Sequence, residues 1–176
     1  MPRELFVDPQ LAAAAYADCP LPIGGGQTIS QPALVAGMCQ TLDLHDGERV
    51  LDVGTGSGYH AAVMSRLCEH VYGIELDPSL AERAAQALAA GGFDNVTVVA
   101  GNGALGLPSE APFDAINVAA TAREGVPPAL EAQLAPGGRL IAPVAHGDDE
   151  RLTLVRRTED GLLRSRLEAV RFVPLR

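Results

Sequence analysis

The chain has 176 residues, of which 47% are hydrophobic and 20% are charged, a composition that supports a hydrophobic core and excludes an intrinsically disordered protein. Its net charge is −9 and all thirteen basic residues are arginines, so it lacks the lysine that Schiff-base enzymes and Walker A loops require and has no basic stripe for nucleic acid. No apolar run is long enough to span a membrane and the N-terminus has no apolar signal core, so we expect a cytoplasmic protein without membrane or nucleic-acid partners.

The first part of the sequence, residues 1–32, holds few signals of regular structure. An Asp-Pro pair predicts a short helix over 8–17. The stretch LPIGGGQTISQP at 21–32 has three successive glycines between prolines. Because ordering glycines costs conformational entropy, such a run is unfavourable in a helix or a strand. We predict an irregular loop there whose role is to bind a ligand or substrate. Ser30 is the predicted N-cap of the following helix, with Pro32 in its first turn.

Beyond residue 32, short apolar runs alternate with helical segments. The predicted helices lie at 33–44, 57–67, 78–90 and 127–134, with Gly47 ending the first and Asp77 capping the third. The predicted strands lie at 49–53, 71–75, 95–100, 113–118 and 139–144, the last preceded by a turn at 136–138, and a hairpin of strands at 152–157 and 163–170 closes the chain. This order predicts an α/β fold with a doubly wound, mostly parallel sheet, helices on both faces and a C-terminal antiparallel hairpin. The loops after the parallel strands should meet in one cleft.

A glycine-rich loop follows the first of these strands. It consists of Gly54, Thr55, Gly56, Ser57 and Gly58. The backbone of such a loop can turn sharply and approach a ligand closely. A nicotinamide-binding GxGxxG loop would need glycine at position 59, which is Tyr59, whereas GxGxG after a strand resembles the cofactor loop of S-adenosylmethionine-dependent methyltransferases. Tight helix packing alone also produces such loops, and that alternative stays open.

Further cofactor-binding candidates lie at or after the ends of the predicted strands. Glu75 ends the second strand, 21 residues after Gly54, where a carboxylate can accept hydrogen bonds from both ribose hydroxyls, and Leu76 follows it. After the third strand come Gly101, Asn102 and Gly103. Asp52 belongs to the same set. A carboxylate that orients the glycine loop through backbone amides is one interpretation of it, and a structural carboxylate behind the site is the interpretation that we prefer. A solvated carboxylate and a plain turn are the competing interpretations of Glu75 and Asn102.

The 21–32 stretch resembles the LPIGxGQTISQP-like loop of the protein-L-isoaspartate O-methyltransferases. More segments resemble that family in the same order, namely PRE at 2–4, APFDAI at 111–116, LAPGGRLIAPV at 134–144 and AVRFVPL at 169–175. The resemblance implies an enzyme that binds S-adenosylmethionine and methylates the carboxylate of isoaspartyl residues in damaged proteins and peptides.

The resemblance also implies roles for individual residues. The hydroxyl of Ser30 would hold the isoaspartyl carboxylate, with Thr28 and Gln27 framing it. This role and the helix-cap role use the same oxygen, so they compete. The remaining substrate-binding candidates are Ile23, Gly24, Val170, Arg171, Phe172 and Val173. The last four would hold an extended peptide at a strand edge, and a plain terminal strand is the alternative.

Methyl transfer to a carboxylate needs no acid–base residues, and the sequence shows no motif that would supply them. The nucleophile is already ionised, because a carboxyl pKa lies near ~4, so no general base is required. The sequence shows no catalytic triad, no GxSxG elbow and no paired acid–base carboxylates. Its three cysteines and four histidines follow no ligand spacing, so we expect reduced thiols and no metal. Catalysis would then depend on proximity, alignment and exclusion of water.

Two departures from the family pattern keep other hypotheses open. Asn102 stands where the family usually has an aspartate that accepts from the adenine amino group, so we expect a weaker contact. Family members also carry a helical segment before the PRE motif. Besides a repair methyltransferase, the hypotheses are a peptide aspartate O-methyltransferase of a biosynthetic pathway and a catalytically silent adenosyl-binding module lacking that helix. We predict a single, monomeric domain with a substrate and lid segment at 1–32 and a Rossmann-like core at 33–176.

Overall fold

The computed structural model describes residues 1–147 and 149–176. Its strands are β1 Leu21–Gly24, β2 Gln27–Ile29, β3 Arg49–Val53, β4 His70–Glu75, β5 Val96–Ala100, β6 Phe113–Val118, β7 Leu134–His146, β8 Asp149–Thr158 and β9 Gly161–Ala169. Its α-helices are α1 Pro32–Leu42, α2 Tyr59–Met64, α3 Pro78–Ala90 and α4 Pro128–Ala132. Short 3-10 helices cover Arg3–Phe6, Pro9–Ala14 and Gly103–Leu105.

The centre of the molecule is a seven-stranded sheet in the order β5-β4-β3-β6-β7-β8-β9. Strands β3 to β7 run parallel, while β8 and β9 are antiparallel additions. The order reverses at β3, which pairs with β4 on one side and β6 on the other. The predicted α/β, doubly wound fold class is therefore confirmed, and such a reversal marks the usual ligand site of an open parallel sheet.

Both faces of the central strands are covered. In β3, Val50 packs into one hydrophobic cluster with residues of α1, α2 and α3, while Leu51 and Val53 pack into a second cluster with Leu130 of α4. All three of these β3 side chains are fully buried. This explains why the strand is a nearly continuous apolar run rather than an alternating one. Among the described residues, no helix is long and apolar enough to cross a membrane.

The predicted irregular loop at 21–32 contains a short hairpin. Strands β1 and β2 pair antiparallel, with Leu21 opposite Ile29. Leu21, Ile23 and Ile29 are buried, and their contact with the core holds the hairpin in place. Gly24 ends β1, and Gly25 and Gly26 form the turn; their φ values of 94°, 59° and 74° lie in a region that other residues rarely adopt.

Several predicted element boundaries are wrong, each for a local reason. Helix α1 ends at Leu42 because Asp43 takes the left-handed conformation, four residues before Gly47. Helix α2 begins only after Gly58 and ends at Met64. The predicted 8–17 helix is the shorter 3-10 helix Pro9–Ala14.

The region between β6 and β8 differs most from the prediction. Helix α4 has only five residues, Pro128–Ala132. Strand β7 already begins at Leu134, so the predicted turn at 136–138 lies within it. The register of β7 against β6 jumps there, from Phe113 opposite Leu134 to Ala115 opposite Arg139. Because this irregularity is absorbed within a strand pair, the Pro-Gly-Gly run does not end the strand.

Candidate active site

A cleft of about 410 Å³ lies at the carboxyl ends of β3, β4 and β6. The β1–β2 hairpin and the segment after β9 form its other walls. Its lining includes residues that directly follow strands, namely Gly54 after β3, Leu76 after β4 and Ala119 after β6, together with Gly103 from the loop after β5. The volume is in the range of small-molecule sites, roughly 300–1,000 Å³.

The glycine-rich loop forms the floor of this cleft. Gly54, Thr55, Gly56 and Ser57 line it, while Gly58 does not and instead begins α2. A Cβ on Gly56 would lie 3.2 Å from Cδ1 of Ile23, so the loop approaches the hairpin closely. The absence of side chains therefore leaves backbone exposed to a ligand at the point where the two segments meet.

Glu75 lies at the edge of the same loop. One carboxylate oxygen accepts a hydrogen bond from the backbone N–H of Gly56 at 2.9 Å, and the other accepts from the N–H of Asp77 at 3.1 Å. These bonds fix the orientation of the carboxylate, and each oxygen keeps a lone pair for a further donor. Asp77 also lines the cleft, a position that the sequence analysis assigned only to capping. Hydrogen bonds from Ser79 lower the pKa of Asp77, so it remains ionised.

Asp52 lies beneath the loop and outside the cleft lining, fully buried. It accepts hydrogen bonds from the hydroxyl of Thr55 at 2.6 Å and from Nδ2 of Asn117 at 2.7 Å. This placement corrects its inclusion among the cofactor-binding residues. Asp52 contacts the loop through the Thr55 side chain and not through backbone amides, which agrees with the preferred interpretation of Asp52 as a structural carboxylate.

A buried polar network continues from Asp52 to α2 and α1. Nδ2 of Asn117 also lies 3.2 Å from Nδ1 of His60, and Nε2 of His60 lies 3.5 Å from Sγ of Cys39. Because Asn117 donates to Nδ1, the imidazole carries its proton on Nε2. Burial lowers the pKa of His60 and raises that of Cys39 to about 12, so both side chains are neutral near pH 7. The sequence analysis gave Asn117, His60 and Cys39 no role in the site.

The loop after β5 enters the cleft at a single residue. Gly103 is part of the lining, whereas Gly101 and Asn102 are not. Oδ1 of Asn102 accepts a hydrogen bond from the N–H of Ala104 at 2.9 Å and so caps the 3-10 helix Gly103–Leu105. Because Oδ1 is used in this way, Nδ2 is the polar atom of the Asn102 side chain without a hydrogen bond within the described residues.

The hairpin brings Ile23, Gln27, Thr28 and Ser30 to the cleft, while Gly24 lies outside the lining. Ser30 is not the N-cap of α1; the cap position is Gln31, and the N–H of Ala33 donates to Oδ1 of Asp18 at 2.9 Å. The prediction that Ser30 caps this helix is wrong, because a carboxylate from the preceding segment takes that role. Within the described residues, the Ser30 hydroxyl has no hydrogen-bond partner.

The C-terminal segment was expected to be a strand with a free edge, but β9 ends at Ala169. The carbonyl of Val173 accepts from the N–H of Thr121 at 2.7 Å, and the N–H of Phe172 donates to Glu150 at 2.9 Å. Arg171, Phe172 and Val173 line the cleft and Val170 does not. The segment is therefore fixed on one side by Thr121 and Glu150 and faces the cleft on the other.

Among the described residues, no group of three or more His, Cys, Asp or Glu side chains is placed to hold a metal ion. The cleft at the sheet's reversal thus combines the exposed backbone of the glycine loop, the hydroxyls of Thr28 and Ser30, and the fixed carboxylate of Glu75. A glycine loop after one parallel strand and a carboxylate at the end of the next are typical of α/β proteins that bind an adenosyl group, and the GxGxG form of this loop is typical of the class of S-adenosylmethionine-dependent methyltransferases.

Comparison with known proteins identifies the family. The family described as protein-L-isoaspartate(D-aspartate) O-methyltransferase matches residues 1–176. A protein-L-isoaspartate O-methyltransferase of Anaeromyxobacter dehalogenans strain 2CP-C is 54% identical over 98% of this chain and 84% of its own length. One from Ignicoccus hospitalis is 50% identical over 99% of this chain and 84% of its own. The chain belongs to the protein-L-isoaspartate(D-aspartate) O-methyltransferase family.

Solved structures agree with this assignment. A protein-L-isoaspartate O-methyltransferase structure superposes with a TM-score of 0.88 at 32% identity, covering 99% of this chain and 58% of that one. A putative family member from Plasmodium falciparum, in complex with S-adenosyl-L-homocysteine, has a TM-score of 0.84 at 29% identity and covers 99% of this chain and 85% of its own. The predicted family and the predicted enzyme class, an S-adenosylmethionine-dependent O-methyltransferase, are confirmed.

Proposed function

We propose that this chain transfers the methyl group of S-adenosylmethionine to the free carboxylate of isoaspartyl residues in damaged proteins and peptides, and that Ser30 holds that carboxylate. The ester can then cyclise to a succinimide that reopens partly as normal aspartate. One observation carries the assignment of Ser30: its uncommitted hydroxyl lines the same cleft as the glycine loop and Glu75.

The cofactor side of the cleft suits an adenosyl group. The fixed carboxylate of Glu75 has a lone pair on each oxygen for the two ribose hydroxyls, and the backbone of 54–57 allows close approach of the amino-acid part. Leu76 and Gly103 would flank the adenine. When bound, S-adenosylmethionine would supply an electrophilic methyl group on a sulfonium: a carboxylate oxygen would attack the methyl carbon in line with the carbon–sulfur bond, and that bond would break to release S-adenosylhomocysteine as a neutral thioether.

The substrate side has only to bind and orient an ionised nucleophile. Ser30 and Thr28 each carry a hydroxyl that can donate to one carboxylate oxygen, which leaves the other oxygen free to attack. Gln27 would bind the neighbouring peptide group. The hairpin covers the glycine loop at Ile23, so it also keeps water from the reacting atoms.

The C-terminal segment is suited to bind the peptide on either side of the isoaspartate. Thr121 and Glu150 bind its far side, whereas the backbone N–H groups of Arg171 and Val173 make no hydrogen bond within the described part of the chain. An extended peptide could accept from these two groups. Phe172, which also lines the cleft, would contact its apolar side chains.

We propose that residues 1–176 work as one domain and as a monomer, with 1–32 covering the site and 33–176 binding the cofactor. Arg83 of α3 donates to the carbonyl of Ile23 at 3.0 Å, which supports a fixed relation between the two parts. The three cysteines are free thiols, which favours a reducing compartment such as the cytoplasm.

The test uses labelled S-adenosylmethionine and two peptides that differ only in isoaspartate against aspartate. We expect methylation of the isoaspartyl peptide alone. Turnover of the aspartyl peptide would support a biosynthetic peptide methyltransferase instead, and cofactor binding without any turnover would support a silent module. Either result would contradict the proposed substrate.

Ser30→Ala tests the residue assignment, with Ser165→Ala on the exposed strand β9 as a matched control. A hydrogen bond to a charged group contributes about 1.5–3 kcal/mol, so Ser30→Ala should lower kcat/KM for the isoaspartyl peptide roughly 10- to 100-fold. Affinity for S-adenosylhomocysteine should remain unchanged. If Ser30→Ala matches the Ser165→Ala control, the role of Ser30 is wrong.

A further inference from the structure

The N-terminus of α1 is capped from fifteen residues away in the chain. The first residue of the helix, Pro32, has no N–H, so the amide of Ala33 is the first that needs an acceptor. Oδ1 of Asp18 accepts from it at 2.9 Å, and Oδ2 accepts from Nε2 of Gln31 at 3.3 Å. One carboxylate thus satisfies both the helix end and the side chain at the cap position.

A second candidate for this cap lies much closer in sequence. Ser30 precedes Ala33 by three residues, the spacing at which a serine hydroxyl accepts from a helix amide. In the structure the Ala33 amide is taken by Asp18, and the hydroxyl of Ser30 lines the cleft without a partner among the described residues. The Asp18 carboxylate and the Ser30 hydroxyl are therefore alternative acceptors for the Ala33 amide. The carboxylate is the acceptor in the structure because a charged acceptor binds a helix N-terminus more strongly than a neutral hydroxyl does.

We propose that Asp18 is a positioning residue for methyl transfer: by occupying the cap of α1, it keeps the Ser30 hydroxyl available to the isoaspartyl carboxylate. This inference rests on the proposed function of Ser30. Asp18 does not touch the substrate or the cofactor, and it does not line the cleft. Its effect is to occupy the Ala33 amide, which would otherwise turn the serine hydroxyl away from the cleft.

The buried guanidinium of Arg3 holds the two competitors at a fixed separation. Its Nη2 donates to the carbonyl of Cys19, next to Asp18, at 3.3 Å and to the carbonyl of Ser30 at 2.9 Å. Nη1 donates to the carbonyl of Ala15. Arg3 is fully buried, so this contact is shielded from solvent. The segment that carries Asp18 and the segment that carries Ser30 are therefore connected to each other through Arg3.

Four variants separate this positioning role from general stability. Asp18→Ala leaves the Ala33 amide to Ser30, whereas Asp18→Asn keeps an oxygen acceptor at the same place. Asp18→Ser is a second loss-of-cap variant, because its side chain is one atom shorter and its hydroxyl stops short of the Ala33 amide. Asp8→Ala is the matched control: Asp8 caps the 3-10 helix Pro9–Ala14 by accepting from Gln10 at 2.9 Å, away from the cleft.

The readouts are kcat and KM for an isoaspartyl peptide, the Kd for S-adenosylhomocysteine, and thermal stability. We expect Asp18→Ala and Asp18→Ser to lower kcat/KM by about tenfold with the cofactor Kd unchanged, and Asp18→Asn to stay within about threefold of the parent. Asp8→Ala should lower thermal stability without changing kcat/KM. Combining Asp18→Ala with Ser30→Ala should give the activity of Ser30→Ala alone, because the diverted hydroxyl is already gone.

Three outcomes would overturn the proposal. In the first, the losses from Asp18→Ala and Ser30→Ala multiply, so that Asp18 acts on something other than Ser30. In the second, Ser30→Ala impairs the reaction but neither Asp18→Ala nor Asp18→Ser does, which leaves the proposed function intact. In the third, Ser30→Ala itself has no effect, and then the assigned role of Ser30 fails together with this inference.

Discussion

Gly58 joins the cofactor loop to α2, and its replacement by alanine should be costly for two separate reasons. Its φ is +88°, and a Cβ there would lie 3.1 Å from Cδ1 of Leu88 and 3.4 Å from Cβ of Ala84. A non-glycine residue in this backbone region costs about 1–2 kcal/mol. Overpacking against a buried side chain costs about 1–3 kcal/mol more. Gly58→Ala should therefore reduce the free energy of unfolding by roughly 2–5 kcal/mol.

Gly47 provides a control in which only the backbone cost applies. Its φ is +86°, and a Cβ there would meet no atom within 4 Å. Gly47→Ala should therefore cost only about 1–2 kcal/mol. The difference between the two variants isolates the contact between the start of α2 and Leu88 of α3.

Urea unfolding of both variants measures this difference, and calorimetry with S-adenosylhomocysteine measures its effect on the site. We expect Gly58→Ala to be the less stable by about 1–3 kcal/mol and to bind the ligand more weakly, because relief of the overlap moves the end of the cofactor loop. Gly47→Ala should bind normally. Equal losses of stability in the two variants would refute the packing argument, and normal binding by Gly58→Ala would refute the link to the loop.

Three more predictions concern single side chains. Glu75→Ala should weaken S-adenosylhomocysteine binding by about 10- to 100-fold in calorimetry, since it removes the ribose acceptor and frees the Gly56 amide; unchanged binding would contradict the ribose assignment. Burial lowers the pKa of His60 below its ordinary 6.5. Just below pH 6.5, His60 therefore binds a proton in the unfolded chain but not in the folded chain. The free energy of unfolding should then fall by up to about 1.4 kcal/mol per pH unit below that value, and His60→Asn should remove this slope in urea titrations. Asn102→Asp should tighten ligand binding by about 3- to 10-fold, because the second oxygen of aspartate accepts where the amide of Asn102 donates; an equal or weaker affinity would count against an adenine contact there.

The elements that local chemistry controls were predictable from sequence. Helix α3 begins at Pro78 after the capping residue Asp77, whose carboxylate accepts from Ser79 at 2.8 Å, and it ends at Ala90 before two glycines, as predicted. Strand β6 also matches its predicted bounds, since its apolar run is buried on both faces. Each of these signals lies within a few residues of the boundary that it sets.

Elements whose bounds depend on distant partners were not predictable in this way. The Pro-Gly-Gly run at 136–138 has the composition of a turn, yet pairing with β6 carries β7 through it. The glycines at 24–26 indicated an irregular loop, but a hairpin forms because buried Leu21, Ile23 and Ile29 reach the core. In both cases strand pairing and burial outweigh local propensity.

The N-cap rule predicted that the start of α1 requires a hydrogen-bond acceptor, but it did not identify the residue that supplies it. The Ser-Gln-Pro sequence indicated that the Ala33 amide requires an acceptor, and the structure contains one, but Asp18 supplies it. No spacing rule connects positions 18 and 33, because their approach depends on Arg3 binding the carbonyls on either side. Local rules would assign the Ser30 hydroxyl to the Ala33 amide. Because the Asp18 carboxylate, distant in sequence, binds that amide instead, the hydroxyl remains available for the proposed reaction.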